Sequence, residues 1–279
     1  MRIVLLGTKA GPRITTARMG PGQVVIAGET TVLVDCAEGT CHQLLRAGFD
    51  PAAIDAILLT HHHSDHNGAY GNVIMSGWAN GRTGRLATYG PPPLAEMTRA
   101  VFALNRVDID TRVEDEGRVD IRDLVDCHEI RSAGHVASFG ELTVTAALVN
   151  HPPFEHAFAY RFDHAGSSVV VSGDTAPCAA LVELARGADL LVHETHNPDW
   201  VGDRRGNFDP ERMRRHQLGS HTPVTEVGGI AANAGVRTLV LSHLSPSDGT
   251  VADSAWSDIV RRDFDGDVVV GHDLLAIDV

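Results

Sequence analysis

The sequence predicts an α/β protein in which two mixed β-sheets pack together with helices on the outside. Three observations carry this expectation. Short apolar or alternating runs come first as a meander and then alternate with helical segments, and the same succession returns in the second half. No Pro/Ser-rich linker or low-complexity tract divides the 279 residues, so one domain spanning 1–279 is expected. The densest cluster of polar, chemistry-bearing side chains directly follows the apolar run Ala56-Ile57-Leu58-Leu59, as it would at the end of a buried strand.

Taken in order, Arg2 to Gly7 reads as a strand, and Gln23 to Ala27 with Thr31 to Asp35 as a hairpin around Gly28-Glu29-Thr30. Thr40 to Ala47 reads as a helix, with Leu44 and Leu45 inward and Gly48 as its stop. Ala56 to Thr60 and Leu86 to Tyr89 are strands, and Pro91 to Leu104 is a helix with its prolines confined to the entry. Residues 107–126 carry eight acidic side chains and read as a solvated loop, with a lid or a homodimer contact as the other readings. Leu142 to Val149, Ala157 to Phe162 and Ser167 to Ser172 are consecutive strands. Cys178 to Gly187 is a helix, Ala188 to His193 a strand and Thr222 to Gly235 a helix. Strand Thr238 to Ser242, helix Val251 to Phe264 and strand Val268 to Val270 close the chain.

The formal charge of −13 weighs against a nucleic-acid partner, because phosphate contacts need clustered Lys and Arg. No apolar run approaches the ~20 residues needed to span a bilayer, and no signal segment follows Met1, so the expectation is a soluble, cytoplasmic protein with no membrane partner. Cys36, Cys41, Cys127 and Cys178 show no CxxC spacing and are expected to be reduced thiols.

The segment Thr60-His61-His62-His63-Ser64-Asp65-His66 holds four histidines and an aspartate within six residues. Imidazole nitrogen and carboxylate oxygen are ligands that zinc and similar divalent ions prefer. At an extended strand end, residues two apart share a side, so His61 and His63 can share one metal while His62 points away. Asp65 and His66 lie on the turn into Asn67-Gly68, where a second pair can face a second metal. A surface histidine cluster is the rival reading, but it would not place an Asp-His pair at this offset after a buried strand.

This His-x-His-x-Asp-His pattern resembles the signature of the metallo-β-lactamase superfamily. His151, Asp174 and His243 follow in the order in which that superfamily supplies its remaining ligands, each after a largely apolar run. The resemblance implies the αββα sandwich, with His61, His63 and His151 on one ion, Asp65, His66 and His243 on the other, and Asp174 bridging them. His156 rivals His151, which is preferred for its place at a strand end. The implied cofactors are two zinc ions, with manganese or iron as the other candidates. Histidine at position 63, where iron-dependent redox members carry Glu, favours zinc and hydrolysis. The implied nucleophile is a hydroxide held at the metals, whose binding takes the pKa of water from about 15.7 to about 7.

Within the superfamily, Asp35-Cys36-Ala37-Glu38-Gly39-Thr40, Tyr89-Gly90-Pro91-Pro92, His193-Glu194-Thr195 and Ser220-His221-Thr222 resemble the ribonuclease Z branch. The resemblance makes Asp65 and His221 the candidate catalytic residues, His221 as proton donor to the leaving group. Its rival reading is an N-cap neighbour of the helix near Thr222. His193, Arg204 and Arg205 are candidate substrate-binding residues; the two arginines sit in an uncommitted 196–221 loop with Trp200 and Phe208 and suit an anionic group. Ribonuclease Z carries a tRNA-gripping arm between the ligands matching His151 and Asp174, whereas only 22 residues lie between them here. The expectation is therefore a dinuclear zinc hydrolase of a small ester, anionic ones included: a phosphodiester, sulfate, carboxylic ester or lactone. The alternatives are an arm-less tRNA 3′-end endonuclease, a hydrolytic dehalogenase-like enzyme and a non-catalytic binding protein on this fold.

Overall fold

The computed structural model describes residues 1–199 and 209–279. Among these residues the strands form two seven-stranded sheets. The first contains β1 (Arg2–Gly7), β2 (Gly22–Ala27), β3 (Thr30–Val34), β4 (Ala56–Leu58), β5 (Leu86–Gly90) and β6 (Val125–Glu129), with β14 (Leu275–Asp278) added beside β1. The second runs β7 (Gly134–Phe139), β8 (Leu142–Leu148), β9 (Phe158–His164), β10 (Ser167–Val171), β11 (Leu190–His196), β12 (Thr238–Ser245) and β13 (Asp267–Val270). The two halves share one plan. In each sheet three antiparallel pairings are followed by three parallel ones, reached by crossovers that carry the helices.

The helices are α1 (Thr40–Arg46), α2 (Ser64–Asn67), α3 (Tyr70–Ala79), α4 (Leu94–Leu104), α5 (Arg106–Glu116), α6 (Ala179–Leu184), α7 (Pro210–Ser220), α8 (Val224–Ala234) and α9 (Asp253–Val260). Alternation along the strands sorts the apolar side chains into three layers. Ile3, Leu5, Val25 and Val32 of the first sheet meet Leu142, Phe158, Phe162 and Val169 of the second in the central layer. Val4, Leu33 and Ile57 pack outward on Tyr70, Ile74 and Trp78 of α3. Val170, Leu191 and Leu239 pack outward on Leu181, Val227 and Trp256. This is the αββα sandwich that the sequence predicted. Among the described residues no helix is long and apolar enough to cross a membrane.

Several segments differ from expectation. The acidic stretch 107–126 is largely helical: α5 buries Ile109 and sets Arg112 between Asp108 and Glu116 at 2.8 and 2.9 Å, so its charges pair one turn apart instead of repelling. A single 3₁₀ turn at Ile121–Asp123 then leads into β6. Part of the 196–221 loop is α7, started by Asp209, whose side chain accepts from the Arg212 N–H. The helix expected from Thr222 begins at Val224, which makes His221 the C-cap residue of α7. Edge strands β6, β7 and β14 escaped the sequence reading because their half-exposed patterns carry little apolar signal.

Candidate metal centre

The parallel strands of both sheets end at one edge of the sandwich, and the loops leaving them converge there. β4 delivers His61 and His63, and α2 places Asp65 and His66 half a turn farther on. β8 leads to His151, β10 to Asp174, and β12 carries His243. Two of these deliveries need special backbone. Gly173, before Asp174, adopts φ 59°, and a Cβ there would stand 2.6 Å from the Phe158 carbonyl oxygen. Between β11 and β12 the register jumps from Glu194↔Ser242 to Thr195↔Leu244, so His243 is a bulge residue with φ 45°. A bulge turns a side chain out of the ladder, here toward the other ligand candidates.

Two sets of donor atoms share no member, His61, His63, His151 and Asp174 in one and Asp65, His66 and His243 in the other, while a third grouping joins His221 to Asp174 and His243. His63 Nδ1 lies 3.0 Å from His61 Nε2 and 3.1 Å from His151 Nε2. His66 Nε2 lies 3.3 Å from both His243 Nε2 and Asp174 Oδ1, and His243 Nε2 lies 3.4 Å from Asp65 Oδ2. A tetrahedral ion with bonds of about 2.0–2.1 Å holds its ligand atoms roughly 3.3 Å apart, so both sets have the spacing of a divalent metal site. Asp174 faces both: Oδ2 lies 3.7 Å from His61 Nε2, while Oδ1 is buried with no hydrogen-bond partner among the described residues. A buried carboxylate oxygen without a donor is costly unless a cation meets it.

The proton inventory fits the same reading. Thr60 Oγ1 gives its only proton to Asp35 Oδ2, 2.8 Å away, so it accepts from His61 Nδ1 at 3.0 Å. His151 Nδ1 donates to the Ser220 carbonyl at 2.8 Å, and His66 Nδ1 donates to Asp35 Oδ2 at 2.7 Å. The Nε2 lone pairs of His61, His66 and His151 are thereby turned inward, as metal-binding imidazoles require. Burial, reinforced by neighbouring imidazoles, lowers the pKa of His61 and brings His63 down to about 4; burial also lowers His151. Burial opposes ionisation of Asp174 and Asp65 as well, but the surrounding imidazoles outweigh it and hold both carboxyls below their ordinary range. His66 is pushed upward against its own burial by Asp174, Asp35 and Asp65, a local excess of negative charge that a cation would offset.

Asp35, at the end of β3, is a site residue that the sequence reading missed. Besides His66 it accepts from the Thr60 N–H at 2.8 Å, and it sits at φ 56°. Asn adopts that conformation readily but donates on one side. Asp35→Asn is therefore expected to weaken metal binding about 10- to 100-fold while the fold persists, read by chelator competition. Unchanged affinity would restrict Asp35 to tying down Thr60.

His221 lies beside the two sets. Its Nδ1 is 2.9 Å from Glu194 Oε1 and 3.9 Å from Asp174 Oδ2. The Thr175 N–H also donates to that Glu194 oxygen at 2.9 Å, fixing the carboxylate. Burial works against the charged ring, but Glu194 and Asp174 outweigh it and raise His221 to about 9. His156 belongs to neither donor set. His62 turns away, with Nε2 2.7 Å from the Pro91 carbonyl oxygen. His193 is fully buried in β11 with Nδ1 donating to the Glu194 carbonyl, so it cannot reach substrate; Glu194, the next residue, faces the cavity instead. Arg204 and Arg205, with Trp200 and Phe208, lie outside the described residues. Phe154 and His216, also missed, cover His63 at ring distances of 4.6 and 5.8 Å. A cavity of about 340 Å³ opens over these groups, walled on one side by Met213, His216 and Gln217 of α7.

Residues 30–244 match the profile of the Beta-lactamase superfamily domain. The chain belongs to this superfamily. Ribonuclease Z of Mycolicibacterium paratuberculosis is 34% identical over 282 residues, which cover 100% of this chain and 98% of that protein. Ribonuclease Z of Mycobacterium marinum is 32% identical over the same length, covering 100% and 99%. Among solved structures, the metallo-beta-lactamase fold protein YhfI from Bacillus subtilis superposes with a TM-score of 0.72 at 20% identity, covering 99% of this chain and 98% of the other. Human tRNase Z, short form, gives 0.71 at 19% identity, covering 100% and 99%; both share the fold. The chain is thus a metal-dependent superfamily hydrolase of the ribonuclease Z branch.

These relatives overturn the expectation that nucleic acid is not the partner. Proteins named ribonuclease Z are matched over 98% of their length by a chain with only 22 residues between His151 and Asp174, so that short spacing does not set this chain apart from them. Net charge misleads because it sums the whole molecule, whereas phosphate contacts depend on where individual arginines stand.

Proposed function

We propose that this protein is an RNA phosphodiesterase of the ribonuclease Z kind, with precursor tRNA as the first substrate to test. The full-length likeness to ribonuclease Z relatives carries the reading, and the pairing of His221 with Glu194 beside the two donor sets supports it. His61, His63 and His151 would hold one zinc ion and Asp65, His66 and His243 a second, with Asp174 between them. Ions there would supply Lewis acidity, acidifying an attacking water and offsetting charge on the phosphoryl oxygens. Glu194 keeps the His221 ring protonated and aimed beside Asp174, where it can give its proton to the departing oxygen. Water, not the neighbouring 2′-hydroxyl, is the attacking group. The products are then a free hydroxyl on one fragment and a phosphate monoester on the other, with no cyclic phosphate.

The test is cleavage of a precursor tRNA by zinc- or manganese-loaded protein, beside chromogenic diester, sulfate, lactone and β-lactam substrates. RNA cleavage with the stated end groups, faster than turnover of any small ester and abolished by a chelator, is the expected result. A small ester turned over efficiently while the RNA stays intact would overturn it.

A further inference from the structure

Beside the metal cavity lies a second, larger one of about 720 Å³. The two share Ala10, His196, Gln217 and Ser245 in their walls, so they are neighbouring compartments on one face, with α7 forming a wall of both. The larger cavity brings apolar and cationic side chains together. Ile14 and Leu218, two of the few large apolar side chains left exposed, at 73% and 43%, both line it. Arg13 and Arg214 line it too. Its acidic member, Asp248, is engaged by the Thr250 N–H at 3.1 Å and hydroxyl at 2.6 Å. At the shared wall His196 is buried, and its Nε2 has no hydrogen-bond partner among the described residues. Burial lowers its pKa, leaving a neutral ring able to meet a polar group of a ligand.

We propose that this cavity is a subsite for one nucleotide of the RNA next to the cleaved bond, its base or sugar against Ile14 and Leu218 and its phosphate toward Arg13 and Arg214. The proposal rests on the ribonuclease reading and adds where the chain adjoining the scissile phosphate is held. Pockets of 300–1,000 Å³ with apolar walls and a few converging polar groups are the usual form of such sites. Exposed Ile14 and Leu218 then have a purpose that a solvated surface does not give them.

The experiment uses the metal-loaded full chain and short RNAs lengthened by one nucleotide at a time on either side of the cleaved bond. In wild type, the nucleotide that reaches the cavity should lower KM about tenfold with kcat little changed. In Leu218→Asp that step should shrink toward one, and Ile14→Asp should reproduce the loss. Both positions are exposed, so folding should survive, which bound metal content checks. Arg214→Ala should reduce the slope of log KM against log salt by about 0.7, the value for one phosphate contact on a single strand. A KM step that persists undiminished in both aspartate variants overturns the subsite while leaving the ribonuclease reading intact. Absence of cleavage for every RNA by wild type, with a small ester turned over, sinks that reading and this one with it.

Discussion

Asp174→Ala is expected to remove at least one of two bound metal ions and to abolish turnover while the sandwich stays folded. The carboxylate stands between the two donor sets, with Oδ2 near His61 and His243 and Oδ1 near His66. Without it the second set keeps Asp65, His66 and His243, but the negative charge that would offset two closely spaced cations is gone. Lewis-acid stabilisation by a metal is worth several kcal/mol, so activity should fall by about a thousandfold or more. The fold should survive because Asp174 belongs to the loop after β10, outside the three apolar layers. Asp174→Asn, which retains one oxygen, should be intermediate. Elemental analysis and circular dichroism separate the outcomes: a fully active wild type holding one ion, or an alanine variant keeping two, would refute the shared-carboxylate arrangement.

How legible this site was in the sequence depended on distance along the chain. His61, His63, Asp65 and His66 fall within six residues, so strand alternation and one turn suffice to aim them. His151, Asp174 and His243 could be placed only through the resemblance, since no local rule brings four strand ends to one edge. Asp35 and Glu194 were overlooked because their roles exist only across the fold: Asp35 meets His66 31 positions away and Glu194 meets His221 27 positions away. His193 and Glu194 are consecutive on β11, so only one of them could face the cavity, and alternation alone does not say which. The acidic stretch 107–126 read as a loop because composition does not register that Arg112 falls one turn from both Asp108 and Glu116. The substrate class was misjudged for a different reason. A total charge sums the whole chain, and the short spacing between His151 and Asp174 does not separate this chain from relatives named ribonuclease Z that it matches over 98% of their length.

The remaining large effect concerns His221. His221→Ala should leave metal content and substrate binding intact, because its Nδ1 is committed to Glu194 at 2.9 Å and the two donor sets are complete without it. His221 does stand within reach of Asp174 and His243 as an alternative donor group, so the metal count itself tests its role. As proton donor to a departing alkoxide it contributes roughly 10²–10⁴ in rate. An RNA 3′- or 5′-oxygen is such a poor leaving group and should suffer the full loss in kcat. Nitrophenolate leaves without being protonated, so hydrolysis of a nitrophenyl diester should slow far less in the same variant. Glu194→Gln should fall between wild type and His221→Ala on RNA, since it keeps the ring aimed but withdraws the charge that holds it protonated. The leaving-group dependence is what distinguishes proton donation from positioning. Equal losses on both substrates would make His221 a residue that orients substrate, and loss of a metal ion from the variant would make it a ligand.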